Sequence, residues 1–297
     1  SYFAAKRRKI KTLYFNFFPL PKRSVLVSTL HGNFLDLKLG SLPDLTVEEE
    51  IAIQEVIDQP VNQPPRFFRW QPPRFKSEYV SKTLSRGYYS YVTDRYAYPR
   101  NWVWHKAKYL SQRIKNSLSS PVLYEKPSLD EDFLFFPLHD SEDFQLRVRA
   151  PHCQYQEFII RLISDALPTG YKLYVKEHPN FLGGIPSSIL RRIKSIPNVC
   201  LLPPDVPSFD LIANAKAIVT INSTVGFESI LRRKPVVTLG DSFYRGHGIT
   251  IDVDNFYDIL QAINCALNWE PDPRLTQKFL HYANKQSIAG DYTLHDF

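Results

Sequence analysis

Methionine is absent from this chain of 297 residues, position 1 included. We read that as the mark of a fragment, or of a chain trimmed at its N-terminus. Cysteine is scarce: Cys153, Cys200 and Cys265 stand far apart, without the paired spacing of a zinc site. A sparse, odd count fits a reducing cytosol better than a disulfide framework, and each thiol is expected as a small buried hydrophobe. No stretch approaches the ~18 consecutive apolar residues of a membrane span. The opening SYFAAKRRKIKTLYF is basic, but it has neither the apolar region nor the small-residue cleavage site of a secretory signal. Internal repeats and low-complexity tracts are also missing. These absences lead us to expect a cytoplasmic protein.

The chain carries a net charge of +7, which favours an anionic partner. The excess is uneven. KRRKIK (6–11), RFFRWQPPRFK (66–76) and HKAKYLSQRIK (105–115) hold much of it. In the second run, Arg66, Arg69 and Arg74 alternate with Phe67, Phe68, Trp70 and Phe75, a mixture suited to a headgroup boundary. Weak peripheral contact with an anionic inner membrane face is therefore expected. The same loop could stack bases, but nothing else supports nucleic-acid binding.

Two regimes divide the sequence. Residues 1–130 are irregular and rich in Pro, Tyr and Arg. Within them, TVEEEIAIQEVIDQ (46–59) has helical periodicity and a capping box formed by Thr46 and Glu49. PRNWVWHKAKYLSQRIKNSL (99–118) reads as a basic amphipathic helix, and the proline-punctuated run between the two reads as a loop. From residue 132, short apolar strands alternate with helices. Strands are predicted at 133–138, 171–177, 198–202, 217–221 and 235–239. Helices are predicted at 155–167, 186–196, 207–215, 223–233 and 254–269, the last opened by Asp254 as N-cap. This alternation predicts βαβ units, a Rossmann-like parallel sheet with helices on both faces. The domains are expected at 1–130, 131–270 and a helical tail at 271–297.

Ligands of such a sheet bind beyond the carboxyl ends of its strands. Four strand ends carry chemistry. KEHP (176–179) places Lys176, Glu177 and His178 on that rim, with Pro179 turning the chain out of the sheet. In INSTVGFES (221–229), Asn222 is expected to cap a helix. Ser223 and Thr224 fall in its first turn and Gly226 removes a side chain there, a combination that suits a phosphate at a helix N-terminus. Glu228, one turn in, is placed to accept from ribose hydroxyls. PLHDSEDFQ (137–145) groups His139 with Asp140, Glu142 and Asp143, carboxylates suited to acid–base work. LGDSFYRGHGI (239–249) is a glycine-rich loop from which Tyr244, Arg245 and His247 could reach a ligand. Neither a Walker loop nor a GxGxxG turn is present.

FFPLHDSEDFQ, LPTGYKLYVKEHPN, IPNVCLL and AIVTINSTVGFESILRRKPVVTLGDSFY together resemble the bacterial capsule polysaccharide biosynthesis family over residues 132–250. That resemblance implies a GT-B-like α/β fold with a reduced or truncated N-terminal acceptor-side domain. It implies a metal-independent glycosyltransferase without a cofactor, whose nucleotide-sugar donor is CMP-linked and whose sugar is Kdo or a related acidic sugar. The acceptor would be a capsule or surface polysaccharide, or a lipid-linked glycan. By the same resemblance, His178 meets the leaving phosphate, Ser223 and Thr224 hold it, Glu228 meets the nucleoside, and Asp143 or its neighbour Glu142 is the base. Lys176, Pro179, Asn222, Gly226 and Tyr244 complete the expected donor site. The family has Gln where this chain has His139. Two other readings share the sequence: a nucleotide-sugar epimerase or hydrolase of the same fold, and a non-catalytic glycan- or lipid-binding accessory protein.

Overall fold

A computed structural model of the chain describes residues 2–17, 23–27, 34, 37–62, 111–112, 114–116, 118, 120–141, 143–178 and 183–289. The basic-aromatic run 66–76, most of the 99–118 helix, Glu142 and Pro179 lie outside the described residues.

The N-terminal elements begin with the helix Tyr2–Arg7, then strands β1 (Tyr14–Phe17) and β2 (Arg23–Val27), which pair antiparallel. The predicted capping box forms at the head of the helix Val47–Asn62. The Thr46 N–H donates to Glu49 Oε2 at 3.1 Å, and the Glu49 N–H donates to Thr46 Oγ1 at 3.3 Å.

Five further strands follow in the second regime, each close to its predicted place: β3 (Phe133–Pro137), β4 (Lys172–Lys176), β5 (Val199–Leu202), β6 (Ala217–Thr220) and β7 (Val236–Thr238). A two-residue strand, β8 (Ile251–Asp252), adds an edge that the sequence did not advertise. All six pair in parallel, in the order β5-β4-β3-β6-β7-β8. Strand order therefore reverses between β3 and β6, and a reversal of this kind opens a crevice at the carboxyl ends of the strands.

Side-chain alternation along β3 divides the core. Leu134 and Phe136 face one layer, with the helices Gln156–Asp165, Ser187–Lys194 and Ile259–Asn268. Phe133 and Phe135 face the other, with the helices Ser208–Asn214, Thr224–Leu231 and Pro273–Gln286. All four β3 side chains are fully buried, and burial of each contributes about 1.5–3 kcal/mol. Because both faces are covered, the strands read as unbroken apolar runs. The fold is α/β and Rossmann-like.

The described part of residues 1–130 has no core apart from the sheet. Val25, Val27, Leu37, Ile53 and Ile57 belong to the same cluster as Phe133 and Phe135. The segment after residue 270 forms a helix, Pro273–Gln286, that packs on the sheet. Phe279, Leu280 and Ala283 are buried in that cluster, and strand β9 (Ile288–Ala289) pairs with β2. Asp254 does not cap the helix that it precedes. Its carboxylate pairs with Arg245 at 2.6 Å, while the Asn255 side chain accepts from the Tyr257 N–H in a short 3-10 turn. Cys153 and Cys200 are buried as expected, but Cys265 is exposed. No helix among the described residues is long and apolar enough to cross a membrane.

Candidate active site

Parallel pairing of β3 with β4 sets Pro137 opposite Lys176, so the residues that follow each strand emerge side by side. His139 leaves β3 on the inner side of the crevice and is buried. Its backbone is held on both sides by one amide. The His139 N–H donates to Gln156 Oε1 at 2.8 Å, and Gln156 Nε2 donates back to the His139 carbonyl at 3.0 Å. Its imidazole Nε2 accepts the Asn222 N–H at 3.4 Å, across the reversal point. An accepting Nε2 leaves the proton on Nδ1. Burial, and then the neighbouring His178, push the His139 pKa down to about 4. His139 is thus a neutral joint between two strand ends.

The Asn222 side chain does not cap the following helix. It donates to the Gln145 carbonyl at 2.9 Å, which ties the helix start to the π-turn Gln145–Arg149. Ser223 occupies the N-cap position, but its hydroxyl makes no cap hydrogen bond. Instead, Ser223 Oγ lies 3.0 Å from Thr220 Oγ1, which also accepts the Ser223 N–H at 3.3 Å. Ser223 and Thr224 are half-buried at the crevice. Without a capping side chain, the head of the Thr224–Leu231 helix keeps its positive pole for a ligand.

Gly226 and Tyr244 have roles other than contact with a donor. Tyr244 is fully buried, and its hydroxyl donates to the Ser223 carbonyl at 2.8 Å. A Cβ on Gly226 would overlap that hydroxyl, and would stand 2.8 Å from Thr220 Cγ2 and 2.9 Å from Tyr244 Cζ. Glycine is needed here so that Tyr244 can support the helix start from below. Both residues shape the crevice without facing it, which corrects their expected place among the ligand contacts.

The KEHP stretch also divides. Among its described residues, only His178 has the half-buried position expected of a rim residue. Lys176 is 6% exposed and still inside β4, and its Nζ donates to Ser208 Oγ at 2.7 Å. Burial lowers its pKa to about 8, against the carboxylates of Glu228 and Asp205. Glu177 is fully buried, accepting from the Tyr124 hydroxyl and, at 3.3 Å, from the Gly183 N–H. It thereby links Tyr124 to Gly183. Glu228 is mostly buried, and desolvation raises its carboxyl to about 7 against the opposing pull of Arg232 and Lys176.

Asp143 is exposed. Its Oδ1 accepts the Gln145 N–H at 3.4 Å, and its carbonyl accepts the Arg147 N–H at 2.9 Å, so it heads the π-turn. Asp140 and Asp143 both act electrostatically on His178. In the glycine-rich loop, Arg245 is turned away to the Val253 carbonyl and Asp254. His247 packs on Phe279, with ring centroids 4.8 Å apart, and with Leu37 and Lys38 it lines a cavity of about 490 Å³. Asp252 braces this loop, accepting from Thr238, Thr250 and the Gly246 N–H. The sequence offered no sign of Gln156, Thr220 or Asp252, because each acts through a partner distant in sequence or through backbone. Among the described residues, no three His, Cys, Asp or Glu side chains gather as a metal site requires.

A parallel sheet with an uncapped helix head and an imidazole at its reversal point has the geometry in which α/β proteins take ligands beyond their strand ends. The family model described as capsule polysaccharide biosynthesis protein matches residues 74–290, and the chain belongs to that family. Protein FixF of Sinorhizobium fredii (strain NBRC 101917 / NGR234) is 31% identical over 178 residues, covering 59% of this chain and 43% of that protein. The capsule polysaccharide export protein KpsS of Escherichia coli is 25% identical over 186 residues, covering 60% of this chain and 46% of the relative. The chain thus spans less than half the length of these two relatives. Among solved structures, the beta Kdo 2,4 transferase of Thermosulfurimonas dismutans KpsC overlays 93% of this chain and 73% of its own, at 15% identity and a TM-score of 0.42.

Proposed function

We propose that this chain forms the donor-binding part of a glycosyltransferase that moves an acidic sugar from a CMP-linked donor to a capsule or surface polysaccharide. The observation that carries this reading is that His178, Ser223 and Thr224 follow β4 and β6, the strands on either side of β3, and so stand on one rim of the sheet. In the reaction, an acceptor hydroxyl attacks the anomeric carbon as the bond to the nucleotide phosphate breaks. The departing phosphate gains negative charge. The helix head and the His178 imidazole would meet that charge, and preorganised donors of this kind act most strongly on developing charge. Asp143, exposed on the adjoining turn, would take the acceptor proton; Glu142, outside the described residues, is the fallback. Glu228 would accept from the ribose. The site needs no cofactor beyond the donor, and the reading places the protein at the cytoplasmic membrane face, where lipid-linked acceptors are met.

A thermal-shift series with CMP, UDP, GDP and TDP tests the donor class. A nucleotide at 100 times its dissociation constant adds about 2.7 kcal/mol of stability. Stabilisation by CMP above the other three is the expected result. A larger shift with UDP, or none with any nucleotide, overturns the CMP assignment.

A further inference from the structure

The opposite rim of the sheet carries a second cluster that the donor site does not use. Lys216 precedes β6, Lys234 precedes β7, and Arg232 and Arg233 end the helix between those strands. Together with Trp269 and Glu270 they line a concavity of about 480 Å³, within the range of small-ligand sites. β6 spans four residues, so this rim lies roughly 13 Å from the candidate active site at ~3.3 Å per residue.

Four cations face one carboxylate in this lining. Helix C-termini attract cations, and that accounts for part of the arrangement. Lys216 and Lys234 stand between a helix end and a strand, so the cluster gathers the ends of two helices, Ser208–Asn214 and Thr224–Leu231, at one place. Lys234 is partly desolvated, and both that burial and the charge of Lys216 lower its pKa. Its Nζ is fixed by the Ala215 carbonyl at 3.0 Å, Arg232 lies over the Phe209 ring at 3.4 Å, and Lys216 pairs with Asp132 at 3.1 Å. Arg233 is left exposed, and its backbone is left-handed, at φ +57°. It closes the helix with the Arg233 N–H on the Ile230 carbonyl and the Lys234 N–H on the Ser229 carbonyl, a position where glycine is the less strained residue.

We infer that this concavity binds an acidic sugar residue of a glycan, its carboxylate or phosphate held by Lys216 and Arg233 and its ring against Trp269. An open cationic concavity bordered by Trp269 suits one charged ring. The inference does not depend on the transferase reading.

Calorimetric titration of the whole chain with tri-galacturonate, and with maltotriose as the neutral counterpart, tests it. The acidic trisaccharide should bind more tightly, and rising salt should weaken it. Lys216→Gln and Arg233→Gln should each weaken it about tenfold, the loss of one charge-assisted hydrogen bond. CMP binding should stay within about twofold of wild type, as for distant independent sites. Arg233→Gly separates a structural role from a binding one: it should weaken the trisaccharide equally while the thermal midpoint holds or rises. Equal binding of the two trisaccharides, unchanged affinity in both Gln variants, or displacement by CMP would each overturn the inference. So would retention on phosphatidylglycerol vesicles through the same two residues with no trisaccharide binding.

Discussion

The Asn222 N–H donates to Nε2 of His139 across the point where strand order reverses, so the residues following β3 and β6 are locked to each other. The bond works only while Nε2 is unprotonated. Burial holds the imidazole neutral, with its pKa down to about 4. Long-range ¹H–¹⁵N spectra should therefore show His139 as the Nδ1–H tautomer, without titration between pH 8 and about 5. A midpoint near the ordinary ~6.5 would mean that the joint is open in solution.

Below this joint, Tyr244 and Gly226 form a second coupled pair. Tyr244→Phe removes the hydrogen bond to the Ser223 carbonyl and should cost about 1 kcal/mol. Gly226→Ala forces a methyl against that ring and should cost about 1–3 kcal/mol. The Tyr244 hydroxyl is one of the atoms in the way, so the alanine should be tolerated better in the Tyr244→Phe background. Urea denaturation of all four members of the cycle checks this, and strict additivity would show that the two side chains do not share the space.

Glu228 gives a pH dependence with a definite sign. Its carboxyl is raised from the ordinary 4.5 to about 7, chiefly by burial. The folded protein then holds a proton that the unfolded chain releases. The resulting stability is fully present below about pH 4.5 and is lost as pH rises through about 7. Glu228→Gln should remove that slope. Subtracting variant from wild-type unfolding free energies across pH 4–8 isolates the group, and a flat difference would mean an ordinary carboxyl. Lys176 slopes the other way in a separate window. Its folded pKa is depressed to about 8, so stability rises with pH between about 8 and its ordinary 10.5.

The sheet was legible because burial on both faces leaves strands as apolar runs, such as Phe133–Phe136, set apart from helices of period 3.6. Two-residue β8 was not, since its pairing with β7 is a tertiary event without a local pattern. At the candidate site, the strand ends could be placed, but the directions of their side chains could not. Lys176 and Glu177 look like surface residues by type. They are buried because Ser208, Tyr124 and Gly183, distant in sequence, supply partners. Asn222 looks like a cap in the sequence, yet Gln145, which takes its side chain, belongs to a turn without recognisable periodicity.

His178 supplies the most direct test of the donor site. Burial is the largest influence on it and lowers its pKa, Lys176 adds to that, and the carboxylates of Asp140 and Asp143 oppose it. The free protein at pH 7.5 therefore holds this imidazole neutral. A nucleotide phosphate at the adjacent helix head would favour the imidazolium, so binding should draw a proton from solution. At pH 7.5 the phosphate of CMP, with a second pKa of about 6, contributes little to that exchange. Calorimetry of CMP binding in buffers of different ionisation enthalpy measures the proton count. We expect fractional uptake by the wild type and close to none by His178→Ala, with His139 too acidic to substitute. In transfer assays at saturating donor, His178→Ala should lose about 10²-fold in turnover, as for one preorganised donor to a developing charge. Equal proton uptake by both proteins, together with unchanged turnover, would place the phosphate away from β4 and leave the helix head after β6 to hold it alone.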